Sequence, residues 1–282
     1  MKMDFDTGLN PGDVVDNQKL QEIFLCSGQG GMRRSLKTNT LIIVSNHIKS
    51  IYDDKWDDAG VMHYTGMGSE GDQSLDFAQN RTLEKSRTNG IEVFLFEVFK
   101  QREYTYMGPV ELTGTPYQSK QTDQYAELRN VWIFPLRLTN EENIVRLPLD
   151  VIKESDQLKI TKVCRLSDQD LENQAKIFSG TAGVINIKSK QYTRNPYVSE
   201  HAKRRAKGIC QLCLQPAPFQ TKNGDPFLET HHIQWLSKGG EDSIKNTVAL
   251  CPNCHRKMHL LNLDIDRLRL GKRVDYKLSG DS

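Results

Sequence analysis

The first half of the chain alternates short apolar runs with stretches rich in Gly, Asp, Asn and Thr. Apolar runs of this length that are rich in Val, Ile, Phe and Tyr are typical of β-strands. We therefore predict strands at Leu41–Ser45, Ile91–Phe99, Tyr104–Val110 and Val131–Leu138. The polar connections, such as Thr113–Thr122, favour a compact, curved, mostly β domain or barrel.

Helical patterns are fewer, and most of them lie outside the strand-rich part. The segments that predict helices are Val15–Phe24, Leu75–Arg87, Leu158–Gly180 and Pro196–Lys207. In the third segment, Ser167 precedes Asp170 by three residues, which is a capping pattern, and Gly180 is a stop signal. Strands followed by helices predict an α+β fold.

Length and hydropathy bound the organisation of the chain. With 282 residues the chain can hold two domains. We predict a β domain over 1–140, a partly helical connector over 141–195 and a C-terminal domain over 196–282. The sequence has no run of about eighteen apolar residues and no charged-then-apolar leader at Met1. We therefore expect a cytoplasmic protein with no membrane span.

Charge is distributed unevenly although the formal net charge is only +2. Residues 1–140 carry 15 Lys and Arg against 19 Asp and Glu, a balance of −4, whereas residues 181–259 carry 12 against 5, a balance of +7. The densest basic run contains Lys203, Arg204 and Arg205. Such a run can contact phosphates, although it can also be a solvated helix face.

Four of the six cysteines form two C-x-x-C pairs. These are Cys210, Cys213, Cys251 and Cys254. Each pair turns tightly enough for both thiolates to face one ion, and four sulfurs suit tetrahedral zinc. We predict a structural zinc site and a reducing compartment. Cys26 and Cys164 stand alone in the sequence, and we expect them only to pack.

The histidines beside these pairs are left for other chemistry. His231 and His232 are adjacent, His255 follows the last cysteine directly, and His259 comes one helical turn later. Neighbouring strand residues point to opposite faces, so we expect one of His231 and His232 to bind metal and the other to handle protons. A neutral imidazole and a divalent cation together meet the needs of phosphodiester hydrolysis.

The stretch from Cys210 to His259 resembles the HNH family of ββα-metal nucleases, in the subfamily that has a four-cysteine zinc. The resemblance implies that His232 is the general base and that His231 and His255 hold Mg²⁺ or Mn²⁺. It also implies that Asn246 orients the base and holds the loop, and that His259 is a third ligand or a phosphate contact. The alternatives are a purely structural zinc module and a packing role for His259.

The front of the chain carries a second set of motifs. They are Tyr52-Asp53-Asp54, Tyr64-Thr65-Gly66-Met67-Gly68 and Gly71-Asp72-Gln73. These motifs resemble the SRA family, also called YDG, over roughly residues 8–138. SRA domains are PUA-like β-barrels that bind modified cytosine in DNA by flipping the base out of the duplex.

The SRA resemblance implies roles for individual residues. Tyr52 and Tyr64 match the positions that enclose the flipped base, beside Thr65, and a carboxylate reads the cytosine amino group. Asp53 and Asp54 are close to that acidic position, but the residue that aligns with it is Lys55. The alternative is that Tyr52 and Tyr64 have only a packing role in the barrel. For contacts to phosphates, or for filling the gap in the duplex, we expect Arg33, Arg34 and Arg81.

The two resemblances together predict a modification-dependent restriction endonuclease of the type IV class. It would bind double-stranded DNA that contains 5-methylcytosine or 5-hydroxymethylcytosine and cut nearby by a one-metal mechanism, with no small-molecule cofactor. One such site cuts one strand, so we predict a homodimer with the connector or the tail after Leu260 at its interface. The alternatives are a nicking or defence nuclease that senses another ligand and an inactive, zinc-stabilised reader of modified DNA.

Overall fold

The computed structural model describes residues 5–48, 52–123, 125, 127–140, 144–177 and 182–276. The chain divides into two compact units, Met1–Ser189 and Lys190–Ser282. Over the described residues, no helix combines the length and the apolar character needed to cross a membrane. The functional division predicted at 140 and 195 stays a prediction, because compactness alone does not assign a role to a segment.

The first unit is built on a mixed β-sheet with helices around it. Its strands are β1 (Val14–Val15), β2 (Met32–Ser35), β3 (Thr40–Asn46), β4 (Lys55–Trp56), β5 (Met62–Thr65), β6 (Glu92–Lys100), β7 (Glu103–Leu112), β8 (Tyr117–Thr122), β9 (Leu128–Leu138), β10 (Leu147–Pro148) and β11 (Ile187–Lys188). Its helices are α1 (Asn17–Phe24), α2 (Ala78–Glu84), α3 (Ser86–Asn89), α4 (Leu149–Val163) and α5 (Asp168–Ile177). The predicted α+β class is confirmed.

The main sheet has nine strands in the order β2-β3-β6-β7-β9-β5-β4, with β1 paired to β7 and β8 paired to β9. The β3–β6 pairing is parallel and the others are antiparallel. Register shifts interrupt the β6–β7 ladder at Leu95/Phe96 and between Glu97 and Lys100. Such bulges bend a strand and increase its twist, which fits the predicted curvature. Among the described strands, the end strands β2 and β4 are not paired with each other.

Both faces of the sheet are covered by apolar side chains at β3. Along β3, Leu41 and Ile43 belong to one apolar cluster, whereas Ile42 and Val44 belong to another. Alternate residues of a strand point to opposite faces, so a strand covered on both sides reads as one continuous apolar run. This is why the run at Leu41–Ser45 predicted a strand correctly. Helix α1 supplies Leu20 and Phe24 to the second cluster, with Phe5 beside them.

All four predicted strands are confirmed, and the structure adds strands that the pattern did not mark. The predicted connection Thr113–Thr122 contains β8, which pairs with β9 over its whole length. The sequence of β8 is Tyr-Gln-Ser-Lys-Gln-Thr, and its side chains are exposed or partly exposed. A polar strand of this kind depends on backbone bonds to its neighbour, and apolar periodicity cannot reveal it.

The segment after β9 folds onto the sheet as two helices rather than one. Leu147 and Ile152 pack on Phe99 of β6. Helix α5 begins at the predicted cap, where the Asp170 backbone N–H donates to Ser167 Oγ at 3.1 Å and Ser167 Oγ donates to Asp170 Oδ2 at 2.6 Å. The predicted stop at Gly180 lies outside the described residues.

Within its described residues, the second unit contains two strands, three α-helices and a short 3₁₀ helix at Leu236–Lys238. The strands and α-helices are α6 (Pro196–Ala206), β12 (Glu229–His232), β13 (Thr247–Leu250), α7 (Pro252–Leu260) and α8 (Asp264–Val274). Helix α6 was predicted; its N-cap is Asn195, whose side chain accepts from the Tyr197 backbone N–H. Strands β12 and β13 pair antiparallel, with His231 opposite Val248 and His232 opposite Thr247. Helices α6, α7 and α8 pack on this hairpin around one apolar core.

Candidate functional site

The four cysteines of the C-x-x-C pairs come together in the second unit. Their sulfur atoms all lie within 4.8 Å of one another, and Cys213 Sγ is 3.9 Å from Cys251 Sγ. Zn–S bonds of about 2.3 Å at tetrahedral angles place sulfurs ~3.8 Å apart. Cys251 is the N-cap of α7 and Cys254 lies in its first turn. The sulfur spacing therefore fits one zinc ion that ties α7 to the loop after α6.

Local electrostatics also favour a cation among these sulfurs. Burial opposes ionisation of Cys210, but backbone N–H groups near Cys251, Cys213 and Leu212 outweigh it and lower the pKa of the Cys210 thiol to about 7. The pKa of Cys254 is raised, first by burial and then by the neighbouring thiols. Thiols that crowd each other in this way ionise together only when a cation stabilises them.

Three histidines form a second potential ligand set. Ligand atoms of His231, His255 and His259 lie within 4.8 Å of one another, and His259 Nε2 is 3.0 Å from His255 Nε2. His231 Nε2 is buried and has no hydrogen-bond partner within the described part of the chain. A buried polar atom without a partner is costly, and a bound divalent cation would satisfy it. The residues present therefore fit a divalent cation.

The surroundings of His231 keep its imidazole in the neutral form that binds metal. Burial, followed by the nearby His259 and His255, lowers the pKa of His231 to about 3, so the ring is neutral near pH 7. His255 Nδ1 lies 2.6 Å from Glu229 Oε2, which leaves His255 Nε2 for the ion. Glu229 stands two residues before His231 on β12 and therefore on the same face of the strand.

His232 points to the opposite side of β12 and pairs with an acid that the sequence analysis missed. His232 Nε2 lies 2.9 Å from Asp242 Oδ1. Asp242 Oδ2 accepts from the Asn195 backbone N–H at 2.5 Å. Burial alone would raise the pKa of Asp242, but the Asn195 N–H and His232 together lower it. The carboxylate therefore stays ionised and holds one nitrogen of the His232 ring.

Asn246 holds the loop between the two strands. Its side chain donates to the Gln234 and Glu241 carbonyls at 2.9 and 2.7 Å, and its Oδ1 accepts from the Gln234 N–H at 2.8 Å. The loop also needs a glycine at 240, because a Cβ there would lie 2.0 Å from the Gln234 carbonyl oxygen. In this structure Asn246 shapes the loop, whereas Asp242 contacts the His232 ring.

Both histidine groups line one groove within the second unit. The groove has a volume of about 840 Å³, and its walls come from residues 190–194, from β12, from residues 235–237 and from α7. Arg194 is close enough for its charge to act on His231, His259 and Asp242. Trp235 lies beside His259 with ring centroids 5.6 Å apart. Neither Arg194 nor Trp235 was predicted, because nothing in their spacing links them to the metal ligands.

The basic run on α6 is divided between structural and exposed roles. Arg205 donates to the Ile244 carbonyl at 2.9 Å and to the Thr247 carbonyl at 2.5 Å, so it ties α6 to the hairpin. Arg204 Nε pairs with Glu200 Oε1 at 2.6 Å on the helix surface. Lys203 and Arg204 are exposed. The structure thus differs from the expectation at Arg205, which is turned inward.

In the first unit, some of the residues that we expected to form a base pocket are buried in the core instead. Tyr64 is only 3% exposed, packs in the apolar cluster and donates its hydroxyl to the Gly31 carbonyl at 3.0 Å. Its ring is therefore inaccessible as a pocket wall in this structure, which is the main departure from the expectation. Tyr52 is partly exposed and donates its hydroxyl to the Gly68 carbonyl at 3.0 Å.

The other predicted pocket residues lie near Tyr52. Asp54 Oδ1 accepts from the Thr65 backbone N–H at 2.8 Å, and desolvation raises the pKa of Asp54 to about 6. Thr65 Oγ1 accepts from Gln121 Nε2 at 3.0 Å. The Asp53 backbone N–H donates to Gln121 Oε1 at 3.3 Å. Thr65 is buried, whereas the Asp53 side chain is 44% exposed. Asp53 is therefore the more accessible of these two residues.

The three arginines predicted to contact DNA differ in exposure. Arg33 is buried and donates to the Gly30 carbonyl at 2.9 Å and to Asn17 Oδ1 at 2.7 Å. Arg34 donates to the Thr40 carbonyl at 3.0 Å. Arg81 is exposed on α2. Arg33 and Arg34 therefore stabilise β2 and its surroundings, and Arg81 alone of the three is directed to the surface.

Two family models match the chain. The one described as ScoMcrA-like, SRA domain, matches residues 11–158, which is more than half of the sequence. The chain belongs to this SRA family. The model described as HNH endonuclease matches residues 210–260, the segment that carries both ligand sets. The two resemblances given from the sequence are thereby confirmed, so this SRA protein also carries an HNH endonuclease module.

Individual relatives match shorter stretches. The SRA–HNH chain is 50% identical over 70 residues to the type IV methyl-directed restriction enzyme EcoKMcrA of Escherichia coli (strain K12), a match that covers 25% of each protein. It is 32% identical over 77 residues to Anaredoxin of Nostoc sp. (strain PCC 7120 / SAG 25.82 / UTEX 2576), covering 26% of this chain and 91% of Anaredoxin. The solved structure of the type IV phosphorothioation-dependent restriction endonuclease ScoMcrA aligns with 94% of this chain and 62% of its own, at 19% identity and a TM-score of 0.40.

Proposed function

We propose that this protein is a modification-dependent DNA endonuclease. The second unit would hydrolyse phosphodiester bonds and the first would select DNA that contains a modified cytosine. The observation that carries the proposal is the arrangement in the groove of the second unit. There His231 Nε2, which has no hydrogen-bond partner among the described residues, lies close to His255 and His259, and His232, which is paired with Asp242, lines the same groove.

In the proposed reaction, His232 takes a proton from the attacking water. Asp242 occupies Nε2 of the ring, so Nδ1 is the nitrogen that accepts the proton. The charge of Asp242 then stabilises the imidazolium that results, and Asn246 keeps the loop that carries Asp242 in place. Water attacks phosphorus and the bond to the 3′ oxygen breaks. The 3′ oxygen takes a proton from solvent, which leaves 5′-phosphate and 3′-hydroxyl ends.

We assign His231, His255 and His259 to a divalent cation, which we take to be Mg²⁺ or Mn²⁺. A cation held there would neutralise negative charge that develops on the phosphate and on the leaving oxygen. The four cysteines are assigned to zinc with a purely structural role. This division uses soft sulfur ligands for zinc and leaves a more open nitrogen site for chemistry.

DNA binding by the second unit is supported by charge around the groove. Arg194 and Lys190 belong to its wall, and Lys238 stands with its ammonium 4.8 Å from the centre of the Trp235 ring. On this proposal these cations contact the phosphates that flank the scissile bond, with Lys203 and Arg204 of α6 as further contacts. Trp235 offers a flat apolar surface to a base or sugar.

Selection of modified DNA is proposed for the first unit. The SRA family match supports it, as does the name of the E. coli relative, which is methyl-directed. We propose that the modified base is 5-methylcytosine or 5-hydroxymethylcytosine and that it is read after flipping out of the duplex, near Tyr52, Asp53, Asp54 and Thr65. Flipping costs a few kcal/mol and exposes the base edge to the protein.

Two further features belong to the proposal. A single HNH site cuts one strand, so a double-strand break requires two copies, and we propose a homodimer. A DNA substrate and cysteines that are kept reduced for metal binding support a cytoplasmic location.

The test compares one plasmid in methylated and unmethylated form, incubated with Mg²⁺ or Mn²⁺. We expect cutting of the methylated form only. Equal cutting of both forms would overturn the dependence on modification. Methyl-dependent binding without any cutting would favour an inactive reader. His232→Ala should slow cutting by about 10²–10⁴-fold and keep zinc content and folding. His201→Ala, on the exposed surface of α6, is the matched control.

A further inference from the structure

Helix α8 lies outside the segment that matches the HNH endonuclease model, yet it belongs to the core of the second unit. The matched segment ends at residue 260, and α8 begins at Asp264. Leu270 and Val274 of this helix are buried in the same apolar cluster as Met258 of α7 and the residues of β13. The helix is therefore packed against elements that also build the groove.

An ion pair joins α8 to α7 on the side of α7 that faces away from its histidines. Lys257 Nζ lies 2.6 Å from Asp266 Oδ2, and Asp266 is only 2% exposed. Lys257 is two positions from both His255 and His259, and residues two apart are separated by about 200° around the axis of an α-helix. Helix α7 thus directs its histidines to the groove and its lysine to α8, which fixes the position of α8.

The turn after α8 brings Tyr276 to the loop between β12 and β13. Asp275 ends the helix in the left-handed conformation, and the Tyr276 backbone N–H donates to the Gly271 carbonyl at 2.9 Å. A glycine fits position 271 because a Cβ there would lie 2.8 Å from the Tyr276 carbonyl oxygen. The Tyr276 ring packs on the apolar core, and its hydroxyl donates to Gln234 Oε1 at 2.8 Å.

The surroundings keep the Tyr276 hydroxyl in the form that donates. Burial, followed by the charge of Glu241, raises the pKa of Tyr276, whereas Arg267 acts in the opposite direction. The phenol therefore stays protonated at neutral pH and has one hydrogen to donate. The other end of the Gln234 side chain donates from Nε2 to the Lys238 carbonyl at 3.3 Å. The side chain of Gln234 thus links the turn after α8 to the loop.

Gln234 is also the residue through which Asn246 shapes this loop. The Asn246 side chain bonds both the N–H and the carbonyl of Gln234, and it donates to the carbonyl of Glu241 as well. Asp242 follows Glu241 directly, and Trp235, which lines the groove, follows Gln234. A displacement of Gln234 would therefore move both the part of the loop that carries Asp242 and the wall that Trp235 forms.

We propose that Tyr276 is a positioning residue of the nuclease, which acts through Gln234 to fix the loop that holds Asp242 against His232. The inference rests on the proposed function and extends the nuclease beyond the HNH match to the turn after α8. Over the residues that the structure describes, the lining of the groove does not include Tyr276. Tyr276 should therefore affect turnover and leave the binding of DNA and of metal unchanged.

The test measures steady-state cutting of the methylated plasmid with Mn²⁺ by the full-length protein. Tyr276→Phe keeps the ring in the core and removes only the hydroxyl. We expect kcat to fall by about tenfold and KM to stay within about twofold, because a loosened loop misplaces the base without removing a contact to DNA. Tyr197→Phe, at a tyrosine that is 84% exposed on α6, is the matched control and should preserve both constants.

Direct binding of Mn²⁺ separates an effect on the loop from damage to the ligand set. It is measured without DNA, from the electron paramagnetic resonance signal of the free ion. We expect Tyr276→Phe to bind Mn²⁺ as wild type does. Wild-type kcat in a folded Tyr276→Phe protein would overturn the assignment. A loss that appears only in KM or in Mn²⁺ affinity would equally contradict a role in holding the loop.

Variants at Gln234 test the same bond from its other end. Gln234→Glu keeps an acceptor for the Tyr276 hydroxyl and Gln234→Leu does not, so Gln234→Glu should retain the higher kcat. A protein with both Gln234→Leu and Tyr276→Phe should be no slower than the slower single variant, because both changes break one bond. If Tyr276→Phe does not fold, equal kcat for Gln234→Glu and Gln234→Leu is the result that rules the proposal out.

Failure of the proposed function gives a different result. A wild type that cuts neither plasmid form would overturn the nuclease assignment, and the role of Tyr276 with it. A wild type that cuts both forms equally, with kcat still reduced in Tyr276→Phe, would remove the dependence on modification and support the role of Tyr276.

Discussion

His232 Nε2 and Asp242 Oδ1 lie 2.9 Å apart, and the second oxygen of Asp242 is bound by the Asn195 backbone N–H. The proposed general base is thus fixed through a carboxylate that is itself fixed by the N-cap of α6. A ring held at one nitrogen has a single orientation and a defined tautomer, which is what proton abstraction from water requires. The pair gives the first of four predictions.

Removal of Asp242 should slow cutting without preventing it. A general base contributes about 10²–10⁴-fold to the rate, so we expect His232→Ala to lose that factor and Asp242→Ala to lose part of it. Asp242 acts only through His232, so a protein that carries both His232→Ala and Asp242→Ala should cut no more slowly than His232→Ala alone. Initial cleavage rates at saturating metal would measure this. Asp225→Ala, in an exposed loop of the same unit, is the control.

Strictly additive losses in the double variant would mean that Asp242 acts on the reaction independently of His232. Asp242→Asn keeps an oxygen acceptor for the ring, so its loss should be smaller than that of the alanine variant. If Asp242 had only a structural role, Asp242→Asn and Asp242→Ala proteins with equal melting temperatures would cut at the same rate.

Glu229 should set the affinity for the divalent ion. Its bond to His255 Nδ1, at 2.6 Å, orients the ring so that Nε2 faces the other two histidines. Partners of metal-bound histidines typically contribute 10–100-fold to metal affinity. Glu229→Gln should therefore raise the Mn²⁺ concentration needed for half-maximal cutting by about that factor. Glu200→Gln, on the surface of α6, should have no effect. If Glu229→Gln leaves the Mn²⁺ concentration for half-maximal cutting unchanged, Glu229 does not contribute to metal binding.

The four-cysteine cluster should be required for folding of the second unit. Binding energy at a structural zinc site is folding energy, and here the site joins α7 to the loop after α6. Cys210→Ser should lose bound zinc, measured by atomic absorption, and unfold cooperatively at a lower temperature. Cys164→Ser changes an exposed cysteine of the first unit and serves as the control. A zinc-free Cys210→Ser protein with the wild-type melting temperature would exclude a structural role.

Asp54 should make the first unit less stable as pH rises. Its folded-state pKa is about 6, raised mainly by desolvation, against about 3.9 in the unfolded chain. The native state therefore holds a proton more tightly, and stability falls as pH increases from about 4 to about 6 and then levels off. Asp54→Asn can still accept from the Thr65 N–H. It should be more stable than wild type by about 1–3 kcal/mol at pH 8 and equal to it near pH 4.

Urea unfolding at the two pH values would measure the Asp54 effect. Asp58→Asn changes an exposed acid four residues away and should show no such dependence. A wild-type protein that gains stability relative to Asp54→Asn between pH 4 and 8 would show that the carboxylate is stabilised in the native state instead.

Local spacing explains how much of the site could be predicted. Cys251, Cys254, His255 and His259 follow from a helix cap and one helical turn, and His231 and His232 from alternation along a strand. These relationships depend on residues close in sequence. Arg194 in the groove and Asp242 beside His232 are placed by loops whose paths depend on tertiary contacts, such as the Asn195–Asp242 bond. No periodicity could have selected Asp242 over the adjacent Glu241.

For Glu229 and Tyr64, the alternation of side chains along a strand predicts the face on which each side chain lies. Glu229 is two residues from His231, so it could have been placed on the metal-binding face. Met62 and Tyr64 are both buried on β5, whereas His63 between them is partly exposed. The same alternation would have placed the Tyr64 ring in the core. A polar strand such as β8 carries no signal of this kind.

Residues 190–194 form a wall of the groove, and the Asn195 N–H binds Asp242. Both determine where a fragment must begin if the nuclease is to be fused to another protein. The family match begins at residue 210, but a fragment cut there would lose Arg194 from the groove and the donor that anchors Asp242. Even a fragment that begins at Pro196 would lack both. A portable cutting module for fusion to another DNA-binding protein must therefore start at or before Lys190.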